Sequence, residues 1–384
     1  MKKKRIAILG STGSIGVNTL KVISAHPDRF EVALLAANHN VKMMRRQIRC
    51  YSPKYVAMAG EHLSALRHDY AKVRFFDAQN DLPELVSRKD VDIVVIAMTG
   101  AAALQPFLAA VRAGKRVAPA NKEALVMAGD ILMKEARVHG AVVIPVDSEQ
   151  SAIFQCLEGR SMNDLHQIHL TASGGALRLL PRQKHDHVSV KDILAHPRWK
   201  MGDKITVDSA TLMNKGFEVI EAQRLFGISI DKINVLVHPE AIIHSMVEFV
   251  DGSWLAQLGV TDMRLPIQYA LTYPDRLTAP LKRLDLAGIR VLNFEAPDLK
   301  KFPSLKLAYA VAKEGGTAPA VLNAADEVAV DAFLKGKIGF THIYSVVEQT
   351  LSKHANLSSP SLADIQSADE WARQKVQEIL ERVP

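Results

Sequence analysis

Short apolar runs at residues 5–9, 31–37, 54–58, 73–76, 91–97, 116–118 and 142–146 are separated by helix-length segments of mixed polarity. That alternation predicts strands joined by crossover helices, and so a mostly parallel, doubly wound, Rossmann-like α/β sheet. Further along, the period lengthens to that of helices. Residues 209–226 place Met213, Phe217 and Ile220 on one stripe and Asn214, Glu218 and Glu221 on its neighbour, with Gly227 as the stop. Residues 305–313, 318–334, 343–353 and 368–382 read as four more helices, the last opened by a capping box from Ser367 to Glu370. The pattern predicts a nucleotide-binding sheet domain over 1–147, a second α/β domain over 148–272, a proline-spaced linker over 273–303 and a C-terminal helical domain over 304–384.

Composition narrows the class. With 384 residues, 48% hydrophobic and 23% charged, the chain can bury several cores. Cys50 and Cys156 lie far apart and match neither a disulfide framework nor a thiolate metal site, which fits a reducing compartment and argues against sulfur-held zinc. The basic start, Met1-Lys2-Lys3-Lys4-Arg5, is not followed by a signal-length apolar run, because that run breaks at Gly10, and no stretch approaches membrane-spanning length. The expectation is a cytoplasmic protein without a transit peptide. The net charge of +7 is concentrated early, with ten Lys and Arg against two Asp and Glu in residues 1–50. Such a bias suits nucleotide phosphates, or simply a solvated basic face. Aromatic and basic residues are not interleaved as nucleic-acid binding would require.

Gly10-Ser11-Thr12-Gly13-Ser14-Ile15-Gly16 follows the first strand and opens a helix over 17–25. Glycines let the backbone approach a pyrophosphate, and a helix start offers free N–H groups and the positive end of its dipole. A tight strand-to-helix turn without a ligand is the plain alternative. At the end of the second strand, Ala36-Ala37-Asn38-His39-Asn40 contains no acid to hold ribose hydroxyls, which favours NADP, with His39 and Asn40 as donors to its extra phosphate. Asn121-Lys122-Glu123 follows another strand end, where it either reaches the cofactor or merely starts a helix.

Asp147-Ser148-Glu149 stands where the 142–146 run ends. Carboxylates on alternate residues of extended chain point to one side, and such oxygen ligands suit Mg²⁺ or Mn²⁺. Asp147 with Gln150 also fits a capping box for a helix over 151–157. Thr171-Ala172-Ser173-Gly174-Gly175 is a donor-rich turn suited to an anion, and His196-Pro197-Arg198-Trp199-Lys200-Met201-Gly202 has the rigid start, aromatic cover and glycine hinge of a lid. Either could be an ordinary surface loop. Lys215 and Glu218, three residues apart, default to a solvated salt bridge. His238 and His244 do not form a metal pair by spacing, so packing suits at least one of them.

Together the glycine loop, Asn121-Lys122-Glu123-Ala124-Leu125, Val146-Asp147-Ser148-Glu149, the segment from His196 to Gly202 and that from Ser209 to Glu218 resemble the 1-deoxy-D-xylulose 5-phosphate reductoisomerases, in the same order along the chain. The resemblance implies conversion of that sugar phosphate to 2-C-methyl-D-erythritol 4-phosphate, with NADPH and a divalent metal, in the non-mevalonate route to isoprenoids, by a homodimer. It implies Asp147, Glu149 and Glu218 as metal ligands. Ser148 and His196 would meet the reacting end of the substrate, and Ser173, Ser209, Asn214 and Lys215 its phosphate. Trp199 and Met201 would belong to a closing flap, and His244 would line the site. Thr12, Gly13, Ser14, Ile15, Asn38, His39, Asn40, Asn121, Lys122, Glu123, Gly202 and Met263 would surround NADPH. Two positions depart from the family pattern: Ala241 stands where many members have serine, and Asn38-His39 replaces glycine followed by lysine, arginine or serine. Two rivals remain at this stage, a metal-indifferent NADP-dependent dehydrogenase of another phosphorylated substrate and a non-catalytic dinucleotide-sensing regulator.

Overall fold

The structure, a computed structural model, describes residues 2–195 and 202–382. The chain forms two compact units: Met1–Ala124, Asp130–Ser151 and Asp262–Lys282 in the first, and Leu125–Gly129, Ala152–Thr261 and Arg283–Pro384 in the second. In chain order the strands are β1 (Lys4–Leu9), β2 (Phe30–Ala36), β3 (Tyr55–Met58), β4 (Arg74–Asp77), β5 (Ile93–Ile96), β6 (Arg116–Pro119), β7 (Val142–Val143), β8 (Leu165–Ala172), β9 (Ile233–Val237), β10 (Ile243–Phe249) and β11 (Trp254–Leu258). The helices are α1 (Ser14–Ala25), α2 (Val41–Tyr51), α3 (Leu63–Arg67), α4 (Leu82–Ser87), α5 (Leu104–Arg112), α6 (Glu123–Val138), α7 (Ser148–Leu157), α8 (Val190–Leu194), α9 (Asp203–Thr211), α10 (Met213–Phe226), α11 (Arg264–Thr272), α12 (Leu286–Ile289), α13 (Pro303–Glu314), α14 (Ala318–Leu334), α15 (Phe340–Ser352) and α16 (Leu362–Leu380).

The first unit is the expected doubly wound sheet, with strand order β4-β3-β2-β1-β5-β6-β7 and parallel pairing throughout. Ile6, Ala7, Ile8 and Leu9 are all buried, as a central parallel strand covered on both faces requires. The strand order reverses between β1 and β5, which makes the carboxyl ends of those strands the switch point where ligands collect in such sheets. The run at 142–146 yields only a two-residue strand. Pro145 has no amide to donate, although Ile144 and Val146 still donate to Val117 and Pro119. Residues 262–282 also fold here, where the sequence reading kept everything up to 272 with the second domain. His26 bonds Gln268 at 3.0 Å, Arg116 donates to the Leu271 carbonyl at 3.1 Å and Arg29 pairs with Asp275 at 2.6 Å, contacts that no local pattern announces.

The second unit carries a mixed sheet, β11-β10-β8-β9, parallel only between β8 and β9. The helix expected over 209–226 is broken in two. Leu212 adopts a left-handed conformation (φ 60°) between α9 and α10, while Thr211 Oγ1 accepts the Met213 amide at 3.2 Å. A left-handed non-glycine residue costs roughly 1–2 kcal/mol, and the burial of the Leu212 side chain offsets it. The apolar stripe of α10 is buried as expected, but so are Lys215, Glu218 and Glu221 on its other faces. The C-terminal helices share a core with the sheet: Leu305, Leu322 and Phe333 join Ile168, Val235 and Phe217 in one apolar cluster. The capping box of α16 is Ser361 with Asp364, six residues ahead of the expected one. Both boxes fit the rule, and the earlier one wins because Ile365 also has an apolar site to fill.

Candidate active site

In the first unit the glycine loop is shaped by contacts that only glycine permits. Gly10 has φ +88°, and an added Cβ would lie 2.3 Å from the Ala97 carbonyl oxygen at the end of β5; one on Gly16 would lie 2.3 Å from the Gly10 oxygen. The buried Ser11 ties the loop down by exchanging hydrogen bonds with Gln47 of α2, each 2.8 Å. Gly13 is the N-cap of α1 without a side-chain cap, so the first-turn amides beside the exposed Gly13 and Ser14 and the half-buried Thr12 and Ile15 are presented as an anion cradle. Gly16→Ala should therefore weaken NADPH binding by at least about tenfold, because relieving the clash moves the loop backbone. Fluorescence titration with NADPH checks this, and unchanged affinity would exclude the loop from the cofactor site.

Near the end of β2, Asn38, His39 and Asn40 are exposed, and the Asn40 side chain caps α2 by accepting the Met43 amide at 3.0 Å. An acid from outside this segment, in the turn after β3, lies beside it. Glu61 Oε1 lies 3.7 Å from His39 Nδ1 and 3.2 Å from His62 Nε2, a neighbourhood that strand-end reading missed. Asn121 is a buried brace: its Nδ2 donates to Met98, Gly100 and Glu123, and its Oδ1 accepts the Ala124 amide. Glu123 is buried with it, and Met263, half-buried, is the N-cap of α11.

The acidic segment is also in this unit. Asp147 Oδ1 accepts the Glu149 amide at 3.2 Å, so part of the capping alternative is realised, while Oδ2 faces the buried Lys122 ammonium at 2.7 Å. Cap and cation thus take one carboxylate oxygen each. Ser148 Oγ donates to Glu149 at 2.5 Å, and an oxygen of Asp147 and one of Glu149 lie within 4.8 Å of each other. Two carboxylates this close repel, and Lys122 offsets half of that charge. Sequence reading assigned Lys122 to the cofactor; its bond to Asp147, 25 residues away, had no local signal.

The second unit gathers the other expected residues. β8 ends at Ala172, and Ser173, Gly174 and Gly175 turn with φ +87° and +68° at the two glycines. An added Cβ on Gly175 would lie 2.3 Å from the Ser209 carbonyl oxygen, so this turn presses directly on α9. Gly202 is the N-cap of α9, and its carbonyl accepts Thr206 Oγ1 at 2.8 Å. On α10, Glu218 accepts from Asn214 Nδ2 at 2.6 Å and from Lys215 Nζ at 2.5 Å. Lys215 and Glu218 are 3% and 1% exposed, which replaces the expected solvated salt bridge by a buried one. His244 is buried at a register shift of β10, between Ile243 and Ser245, the kind of bulge that re-aims a side chain. His238 packs instead: it stacks on Phe294 at 4.8 Å, and its ring nitrogens meet the Asn293 carbonyl and the Ile242 amide. His196, Trp199 and Met201 lie outside the described residues.

A doubly wound sheet with an anion cradle at its switch point, accompanied by clustered carboxylates, defines a dinucleotide-dependent α/β enzyme. Family models described as 1-deoxy-D-xylulose 5-phosphate reductoisomerase match residues 6–129, as its C-terminal domain 143–226, and as the DXP reductoisomerase C-terminal domain 258–375. The 1-deoxy-D-xylulose 5-phosphate reductoisomerase of Pelotomaculum thermopropionicum is 51% identical over 96% of this chain and 97% of its own, and that of Geobacter metallireducens is 49% identical over 98% and 99%. Among solved structures, the enzyme of Zymomonas mobilis in complex with NADPH covers 100% of both chains at 41% identity and TM-score 0.93. A DOX-P reductoisomerase in complex with NADPH, fosmidomycin and magnesium covers 98% of both at 39% and 0.93. The chain belongs to the 1-deoxy-D-xylulose 5-phosphate reductoisomerase family, which sets aside the dehydrogenase and regulator readings.

Proposed function

We propose that this chain converts 1-deoxy-D-xylulose 5-phosphate to 2-C-methyl-D-erythritol 4-phosphate, with NADPH as reductant and Mg²⁺ or Mn²⁺ as activating ion. The observation that carries the reading is the oxygen donor set: Asp147 and Glu149 adjacent in the first unit, and in the second a glutamate, Glu218, held fully buried by a lysine and an asparagine. An all-carboxylate set fits a hard dication, and the cradle that a Cβ would fill at Gly10 and Gly16 fits a pyrophosphate. When bound, the ion stabilises negative charge developing on the substrate's oxygens, and the nicotinamide supplies hydride.

In this reading Asp147, Glu149 and Glu218 are the metal ligands. Lys215, Asn214, Ser209 and Ser173 anchor the phosphate, so that the fragments formed when the carbon skeleton breaks are held for rejoining. Ser148 and His196 meet the reacting end, His244 lines the site, and Trp199 and Met201 close over it from the Gly202 hinge. Thr12, Gly13, Ser14 and Ile15 hold the pyrophosphate, Asn38, His39 and Asn40 the adenosine end, and Asn121, Lys122, Glu123 and Met263 the nicotinamide side. The protein acts as a homodimer in the cytoplasm; free Cys50 and Cys156 are consistent with a reducing compartment, and no helix among the described residues is long and apolar enough to cross a membrane.

The test is NADPH absorbance on addition of 1-deoxy-D-xylulose 5-phosphate. Oxidation that requires Mg²⁺ and stops with a chelator is the expected result. Oxidation indifferent to the metal, or none at all, would overturn the reading.

A further inference from the structure

In the second unit, the half-buried Lys204 of α9 donates to two carboxylates, Asp208 Oδ2 at 2.6 Å on its own helix and Asp326 Oδ2 at 2.8 Å on α14. Asp208 is 3% exposed and Asp326 is 0% exposed. The other oxygen of each, Asp208 Oδ1 and Asp326 Oδ1, meets no hydrogen-bond partner among the described residues, and neither does either end of the fully buried Asn323 amide, one turn before Asp326. One ammonium between two carboxylates leaves a net negative charge, which is costly to bury. Burial and the neighbouring Asp326 carboxylate push the Asp208 carboxyl well above the usual carboxylate range.

Among the described residues, the other charged groups on the elements packed against α9 pair elsewhere or lie exposed. Of the elements packed against α9, α14 contributes Asp326, while α10 contributes the Phe217 ring, 5.0 Å beneath the Lys204 ammonium. On α10, Lys215 binds Glu218, and Glu221 is the remaining buried acid. Asp192 caps its own helix, α8, and Tyr309 of α13 donates to the Ile233 carbonyl; Lys191, Lys306, Lys313 and Glu314 are exposed. A proton is the smallest species that neutralises the cluster and gives the unpartnered oxygens something to share.

We propose that Asp208 and Asp326 hold one proton between them, and that the neutral cluster they form with Lys204 is a positioning lock fastening α9, and so Ser209, to α14. The proton forms an O–H bond on one carboxyl and is accepted by the other. The role of the lock rests on reading Ser209 as a phosphate ligand. Because α9 also abuts the Ser173–Gly175 turn, movement of α9 would disturb two phosphate contacts together.

The sign of the pH effect follows. A carboxyl raised on folding contributes stability that is fully present below its unfolded value and is lost as pH rises through its folded value. Asp326→Asn replaces the shared proton by a permanent N–H donor and leaves Lys204 paired one-to-one with Asp208. Melting temperature and steady-state kinetics of the full chain, measured from about pH 6 to about pH 9, decide the matter. Expected is a melting temperature that falls with pH in the unsubstituted protein and far less in Asp326→Asn. KM for the sugar phosphate should likewise rise by roughly tenfold at the alkaline end in the former alone, with kcat little changed. Asp208→Asn, the reciprocal exchange, should flatten both profiles in the same way and serves if the first variant folds poorly. Parallel melting profiles in the variants and the unsubstituted protein would overturn the shared proton. Diverging melting profiles with parallel KM profiles would overturn the positioning role and place the fault with Ser209. Absence of turnover at every pH would instead count against the activity itself, while the melting profiles still decide the proton.

Discussion

Glu218→Gln should reduce turnover by at least about 100-fold while leaving NADPH affinity unchanged. Groups that merely orient a metal's ligands are worth roughly 10–100-fold in affinity or activity, so a ligand should cost no less than the upper figure. Glutamine keeps the shape of the side chain, but it removes the anion and leaves one acceptor oxygen where Asn214 and Lys215 now use one carboxylate oxygen each. The buried Lys215 ammonium then faces a neutral partner, and some stability goes with it, because a broken buried ion pair costs up to about 3–5 kcal/mol. The two readings of Glu218 therefore separate cleanly. A metal ligand loses Mn²⁺ affinity in calorimetric titration, whereas a purely structural salt bridge lowers the melting temperature with metal affinity intact. Retained Mn²⁺ affinity in a folded Glu218→Gln protein would remove this residue from the metal shell.

The contrast between these readings shows what the sequence carried and what it did not. Strand after strand of the first unit was legible because apolar runs buried on both faces leave a signal within a few residues, and the glycine loop was legible because its constraints are local. β7 is regular over only two residues, although Ile144 and Val146 go on donating to Val117 and Pro119 on either side of Pro145, whose missing amide falls on the unpaired edge. The break at Leu212 was invisible: nothing in Thr211-Leu212-Met213 departs from a helical pattern, and the left-handed turn exists because the side chain is buried by neighbours distant in sequence. Charged residues were misjudged for the same reason. Lys215 and Glu218 at helical spacing look like a surface pair, and only the tertiary packing around α10 shows that both are buried. Lys122 against Asp147, Glu61 against His39, and Lys204 against Asp326 are pairings across sequence separations that no periodicity encodes. Family resemblance names the candidate site residues, and the structure adds the electrostatic partners of Asp147 and Glu218.

Lys215→Ala should combine two losses that can be measured apart. Without the ammonium, Glu218 is a buried carboxylate whose nearest cation is gone, and removing one partner of such a pair costs about 3–5 kcal/mol. The melting temperature of the cofactor-free protein should fall accordingly. On the proposed role of Lys215 as phosphate anchor, the substrate also loses a charge-assisted hydrogen bond worth about 1.5–3 kcal/mol, which corresponds to a KM raised roughly 10- to 150-fold. If Glu218 is a metal ligand, the first loss has a remedy that the second lacks. Excess Mg²⁺ binds the folded state and compensates the orphaned carboxylate, so melting temperature should recover with Mg²⁺ more steeply in Lys215→Ala than in the unsubstituted protein. KM should stay high at saturating Mg²⁺, since a metal held by carboxylates cannot replace the phosphate's cation. A KM within about twofold of the unsubstituted value would assign Lys215 to Glu218 alone. A stability deficit that ignores Mg²⁺ would mean that the glutamate it neutralises does not face the metal.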